Sequence, residues 1–173
     1  MAVNVIANPI NLSWSNFRVV DSSPDLSGDE VAQIHPEMRL PPNAQVANSN
    51  GAFRLNAFTI TLAPVPQDTI VLRSATQTAD LLRHEQGHYD LPILVAKAMA
   101  RDLGAATGSS ASALNTRVQT IQQTHNANAQ AIDAAYDTQT DHGKDSLQQT
   151  SWNQAIAAAL GNPATGTVRG LRL

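Results

Sequence analysis

Apolar positions along this chain change their spacing near residue 74, dividing it into a strand-like first part and a helical second part. Upstream, short runs rich in Val, Ile, Thr and aromatics lie at 3–6, 12–20, 53–62 and 69–73, separated by clusters of Pro, Asn, Asp and Ser. That pattern predicts strands joined by turns. Eight of the nine prolines precede residue 93, which disfavours helices there. The alternation slips at Asn56-Ala57, so a turn or bulge is expected at that point.

Downstream the period becomes helical. Ser74-Ala75-Thr76-Gln77 fits a capping box and Gly104 follows Asp102-Leu103 as a stop, predicting a helix over 75–103. Pro92 interrupts it and removes the hydrogen bond to the His88 carbonyl, so a kink is expected just after that residue. A second helix is predicted over 110–141, where Leu114, Val118, Ile121, His125, Ile132 and Tyr136 repeat at helical spacing and Gly143 can cap the end. A straight helix of that length would span ~48 Å, so a break near 126–130 is expected. The third begins at Asp145, presents Trp152, Ile156 and Leu160 on one face, and ends at Gly161 and Pro163. The expected class is α+β: a small, mostly antiparallel N-terminal sheet packed on one helix, with a helical C-terminal half. Residues 1–163 form a single domain, and 164–173 a tail that is disordered or adds an edge strand.

Composition narrows the function classes. Net charge is −3 over 173 residues, only 14% of them charged, and no Lys/Arg cluster occurs. Nucleic acid and anionic membranes are therefore poor candidate partners. No apolar run reaches the ~18 residues of a membrane span, and the first ten residues lack the basic start and apolar stretch of a signal peptide. Either the protein is cytoplasmic, or it is secreted after loss of a leader or by another route. There is no cysteine, which excludes disulfides and thiolate zinc ligands. Oligomeric state is not legible.

The strongest chemical signal is His84-Glu85-Gln86-Gly87-His88. On a helix, positions four apart share a face about 6 Å along the axis, so both imidazoles can reach one zinc ion at ~2.0–2.1 Å. Glu85 is rotated aside, where it can serve as general base toward water activated by that ion. The alternative is a structural histidine pair. Gly87 is either a tolerated helical glycine or a site of close approach by another backbone.

A catalytic zinc needs a third protein ligand. Only Glu30, Glu37 and Glu85 occur, so no glutamate follows the motif. The downstream candidates are His125, His142, Asp133, Asp137, Asp141 and Asp145. His125 sits in an apolar register and reads as a core histidine. The stretch Tyr136-Asp137-Thr138-Gln139-Thr140-Asp141-His142-Gly143 is richer; it makes His142 the expected third ligand, with Asp137 the alternative. Tyr136 is a candidate donor to the developing oxyanion. Asp90 is either an outer partner of the metal ligands or a surface acid.

Three blocks resemble bacterial proteins of a family known as domain of unknown function 922, described as often secreted zinc-dependent proteases. Leu12-Ser13-Trp14-Ser15-Asn16-Phe17 is similar to its opening strand, His84 to Asp90 to its core motif, and Tyr136 to Gly143, with Gln149 and Trp152-Asn153, to its closing block. The resemblance covers residues 12–160. It implies a zincin-like fold, a zinc-dependent hydrolase, and His142 as ligand. Pro92 departs from the pattern, as does the missing leader. The expected function is thus a metallopeptidase using one Zn2+ on a peptide or protein substrate. Two competing readings are a non-catalytic metal-binding component of an interaction or injection apparatus, and an amidase acting on cell-wall or other non-protein amides. Loops such as 21–45 carry no readable code for specificity.

Overall fold

The computed structural model describes residues 3–8, 11–26, 28, 30–40, 46–49, 51–162 and 164–173. Eleven short strands and three helices follow in chain order among them. The strands are β1 (Val3–Ala7), β2 (Arg18–Val20), β3 (Ala32–Gln33), β4 (Pro36–Arg39), β5 (Val46–Ser49), β6 (Ala52–Leu55), β7 (Phe58–Pro64), β8 (Ile70–Leu72), β9 (Thr107–Gly108), β10 (Thr167–Val168) and β11 (Leu171–Arg172). The helices are α1 (Ala79–Ala105), α2 (Ala111–Thr140) and α3 (Ser146–Leu160). The mixed α+β class is as expected, but the strands build several small sheets instead of one. Their orders are β1-β7-β4, β2-β8-β3 and β5-β6-β9, with β10-β11 a separate ribbon. Two pairings, β1 with β7 and β2 with β8, are parallel.

Several boundaries differ from expectation for local reasons. The run 12–20 is not one strand: a 3-10 turn at Trp14–Asn16 packs Trp14 on Phe17 before β2 begins. The slip at Asn56-Ala57 separates β6 from β7, which enter different sheets. β3 and β4 arise inside the stretch taken as loop, because two and four residues are too few to show a period. Thr78, not Ser74, caps α1, its hydroxyl accepting from the Leu81 amide at 3.1 Å. α1 continues through Pro92, and α2 runs its full 30 residues without the expected break. Asp141 ends α2 in the left-handed conformation and Asp145 caps α3 as expected. Pro163 lies outside the described residues. Residues 164–173 form the β10–β11 ribbon, with Val168 and Leu173 buried, so the tail is neither loose nor part of the N-terminal sheets.

α1 is the centre of the fold because it is apolar on both sides. One side, with Tyr89, Ile93, Ala96, Met99 and Leu103, packs on Ile60, Leu62 and Val71 of the strands. The opposite side, with Leu91, Leu94, Val95 and Ala98, packs on Ile132, Tyr136, Trp152 and Ile156 of α2 and α3. Each fully buried large side chain contributes roughly 1.5–3 kcal/mol. Two direct ties complete the anchoring: Tyr89 Oη donates to the Leu62 carbonyl at 3.1 Å, and the Leu12 amide donates to Gln86 Oε1 at 2.8 Å. The helix carrying the histidines is thus held on two sides.

Candidate metal centre

His84 and His88 lie one turn apart on α1, at the seam it makes with α2. Their Nε2 atoms are 3.1 Å apart, with the rings perpendicular. Across the seam α2 presents Asp137, whose Oδ1 lies 3.3 Å from His84 Nε2 and 2.8 Å from His88 Nε2. These three donors form one group able to hold a metal ion. Two ligands of a tetrahedral zinc at ~2.0–2.1 Å stand about 3.3 Å from each other, so this triangle is close to the required size.

The outward nitrogens decide which atoms face inward. His84 Nδ1 lies 3.0 Å from Gln149 Oε1, and His88 Nδ1 lies 2.7 Å from Asp133 Oδ1. Both oxygens are acceptors, so they favour a proton on each Nδ1, the tautomer that on loading a metal would leave each Nε2 lone pair facing Asp137. Gln149 is itself oriented, its Nε2 donating to Tyr136 Oη at 2.6 Å and to Asn153 Oδ1 at 2.8 Å. Asp137 Oδ1 accordingly remains buried with no hydrogen-bond donor directed at it. Three converging donors with an orphaned oxygen among them could hold a cation, and two imidazoles with a carboxylate are a donor set compatible with zinc.

Electrostatics state the same demand. Burial works against a charged His88, but the carboxylates of Asp133 and Asp137 beside it outweigh this and raise its pKa to about 10. Burial pushes the Asp137 carboxyl upward, yet the facing His84 and His88 overturn this and hold it well below the usual range. Without a metal, a proton takes the position of the missing charge.

Glu85 is buried and points off the histidine face, its Oε2 accepting from the Ile34 amide at 2.9 Å. Burial raises its pKa, opposed by the charges of His88 and His84, which makes it a better proton acceptor near neutrality than an exposed glutamate. His84, Glu85, His88, Asp133 and Asp137 line a cleft of 940 Å³ walled by residues 30–36, by α1 through Leu91, Pro92 and Val95, and by α2 through Asn126, Ala129 and Ile132.

Gly87 is the residue that lets the two helices close. A Cβ there would stand 2.1 Å from Tyr136 Oη, so the close approach is by a side chain and not by a backbone. Tyr136 is fully buried, stacks on the His84 ring at 4.9 Å and donates to the His84 carbonyl at 3.0 Å. It does not line the cleft, and its hydroxyl is engaged by the His84 carbonyl and the Gln149 amide. Gly143, at φ 82, approaches His84 so closely that a Cβ would meet its Cβ at 2.9 Å.

The remaining candidates separate clearly. His142 lies beside Asp137, Nδ1 to Oδ1 3.6 Å, but is not grouped with the two motif histidines. Asp137, the alternative, is. Asp90 does not touch the donors and is half-buried: it accepts from Gln86 Nε2 at 2.8 Å, and burial raises its pKa to about 6 against that bond. His125 is a buried core residue whose Nε2 meets Asp102 Oδ2 at 2.9 Å. Sequence reasoning gave no role to Gln149, Glu30 or the Ile34 amide, and treated Asp133 only as a possible ligand. One signal was available for Asp133: with Asp137 it makes an i, i+4 pair on α2, matching His84 and His88 on α1.

Comparison with known proteins adds one match. Residues 58–143 match the family described as "Bacterial protein of unknown function (DUF922)". This supports the DUF922 family. The match takes in β7, β8, α1, α2 and every residue of the histidine and aspartate group. No curated protein and no solved structure matches the chain.

Proposed function

We propose that this protein is a zinc metallopeptidase in which His84, His88 and Asp137 hold the ion and Glu85 is the general base. The observation that carries the reading is the donor triangle itself, with edges of 3.1, 2.8 and 3.3 Å and a buried carboxylate oxygen that no hydrogen bond satisfies. When bound, zinc supplies Lewis acidity, polarising a substrate carbonyl and making water at the site acidic near neutral pH. Glu85 accepts the proton released there and returns it to the leaving amine, a transfer suited to a carboxylate whose pKa burial has raised. The Ile34 amide holds one Glu85 oxygen, fixing the carboxylate plane.

The cleft suits an extended peptide. β3 is an edge strand, bonded to β8 on one side. With Val31 O bonded to Leu72 N toward β8, the alternate residues Ala32 and Ile34 turn their backbone groups away from β8, toward the cleft. A substrate strand added along that edge would pass Glu85. A volume of 940 Å³ accommodates several residues.

The test is hydrolysis by the zinc-loaded chain of a fluorogenic peptide library, with purified peptidoglycan as a parallel substrate. Glu85→Gln is expected to keep its zinc and lose about 10²–10⁴-fold in rate. Peptidoglycan cleavage alone would move the substrate to cell-wall amides. Zinc-loaded protein inert on both would leave a metal-binding component without catalysis.

A further inference from the structure

His142 and Glu30 have no part in the centre just described, yet they meet beside it. His142 Nδ1 stands 3.6 Å from Glu30 Oε1 and 3.6 Å from Asp137 Oδ1, and the three donors lie within 4.8 Å of one another. They come from three separate places: the segment leading into β3, the last turns of α2, and the turn after it. That turn is left-handed at Asp141, His142 and Gly143, with φ of 49, 52 and 82, and Gly143 seats it against His84. All three groups line the cleft.

We propose that Glu30, Asp137 and His142 form a second divalent-cation site that shares Asp137 with the first. The inference rests on the preceding reading in one respect, that Asp137 is a donor to the His84–His88 ion. Two carboxylate oxygens and one imidazole nitrogen suit Zn2+ or Mn2+. Asp137 Oδ1 faces both groups of donors and has no hydrogen bond to satisfy it, which is the position of a bridging carboxylate. Paired-metal sites hold their ions about 3.5–4 Å apart, a separation one shared carboxylate permits. His142 does not complete the first centre instead, because it joins His84 and His88 in no common group within 4.8 Å. The second site is the weaker of the two. Its histidine nitrogen stands 3.6 Å from each carboxylate oxygen, and its histidine side chain is 40% exposed, against 4% for His84.

Zinc alone is the probe, titrated into the metal-stripped full chain by equilibrium dialysis with elemental analysis, and circular dichroism confirms folding of each variant. The wild type is expected to take up two ions of unequal affinity. Glu30→Gln and His142→Ala should each lose the weaker ion or weaken it at least about tenfold, while the tighter ion stays. Asp137→Asn should impair both. Saturation of the wild type at one ion would overturn the proposal, as would loss of the tighter ion in His142→Ala, which would make His142 the third ligand. Glu30→Gln keeps the test open should the His142 variant misfold. Failure here leaves hydrolysis unjudged, since that depends on Glu85→Gln.

Discussion

The same two helices bury histidine against aspartate twice, and the two places could hardly differ more in chemistry. At one end of the α1–α2 seam, His84 and His88 have their Nδ1 atoms engaged by Gln149 and Asp133 and turn both Nε2 atoms on Asp137. At the other, His125 Nε2 meets Asp102, while its Nδ1 is buried with no partner. Asp102 is 60% exposed, so water can solvate whatever that pair leaves unsatisfied on the acid. Burial and a carboxylate neighbour are common to both. What distinguishes the candidate metal centre is convergence: several donors aimed at one point, with outer partners on the far nitrogens.

The largest effect expected from breaking that contrast is at the ligands. His84→Ala should abolish binding of the tighter zinc ion, read by elemental analysis of dialysed protein; retention of that ion at unchanged affinity would remove the centre from α1. Next comes the outer partner. Asp133→Asn should keep the fold and the ion but lower zinc affinity about 10–100-fold, measured by competition with a chelator. Then comes pH. With His88 held up to about 10, zinc entry must displace a proton across the neutral range, so affinity should fall about tenfold for each unit that pH drops. Calorimetry in buffers of different ionisation enthalpy should count about one proton released per ion. The smallest effect belongs to the control end of the seam: His125→Leu should leave zinc affinity unchanged and shift stability in urea by no more than about 1 kcal/mol, since it removes one modest hydrogen bond and one orphaned nitrogen together.

Much of the centre was legible because it is local. His84, Glu85 and His88 are fixed relative to one another by helix geometry alone, and Asp145 and Gly143 marked how α2 gives way to α3. The choice between Asp137 and His142 was not local. It depends on the register of α2 against α1, which is set by Tyr136 entering the gap over Gly87 and by the left-handed turn at 141–143; neither can be read from spacing. The unbroken length of α2 was missed for a related reason, since its stability comes from packing along α1 and β9 more than from its own sequence. β3 was missed because two residues show no period, although the residue just after it, Ile34, meets Glu85.

Gly87 extends this point beyond one chain. The missing side chain of α1 and the phenol of α2 are two halves of one fit, so neither position drifts independently: enlarging the first demands that the second shrink, and a smaller ring would also release the His84 carbonyl and the Gln149 amide. A search for relatives keyed to the five-residue motif alone would gather coincidences. Pairing a glycine in its fourth place with an aromatic hydroxyl on the following helix would select chains whose two helices can interlock.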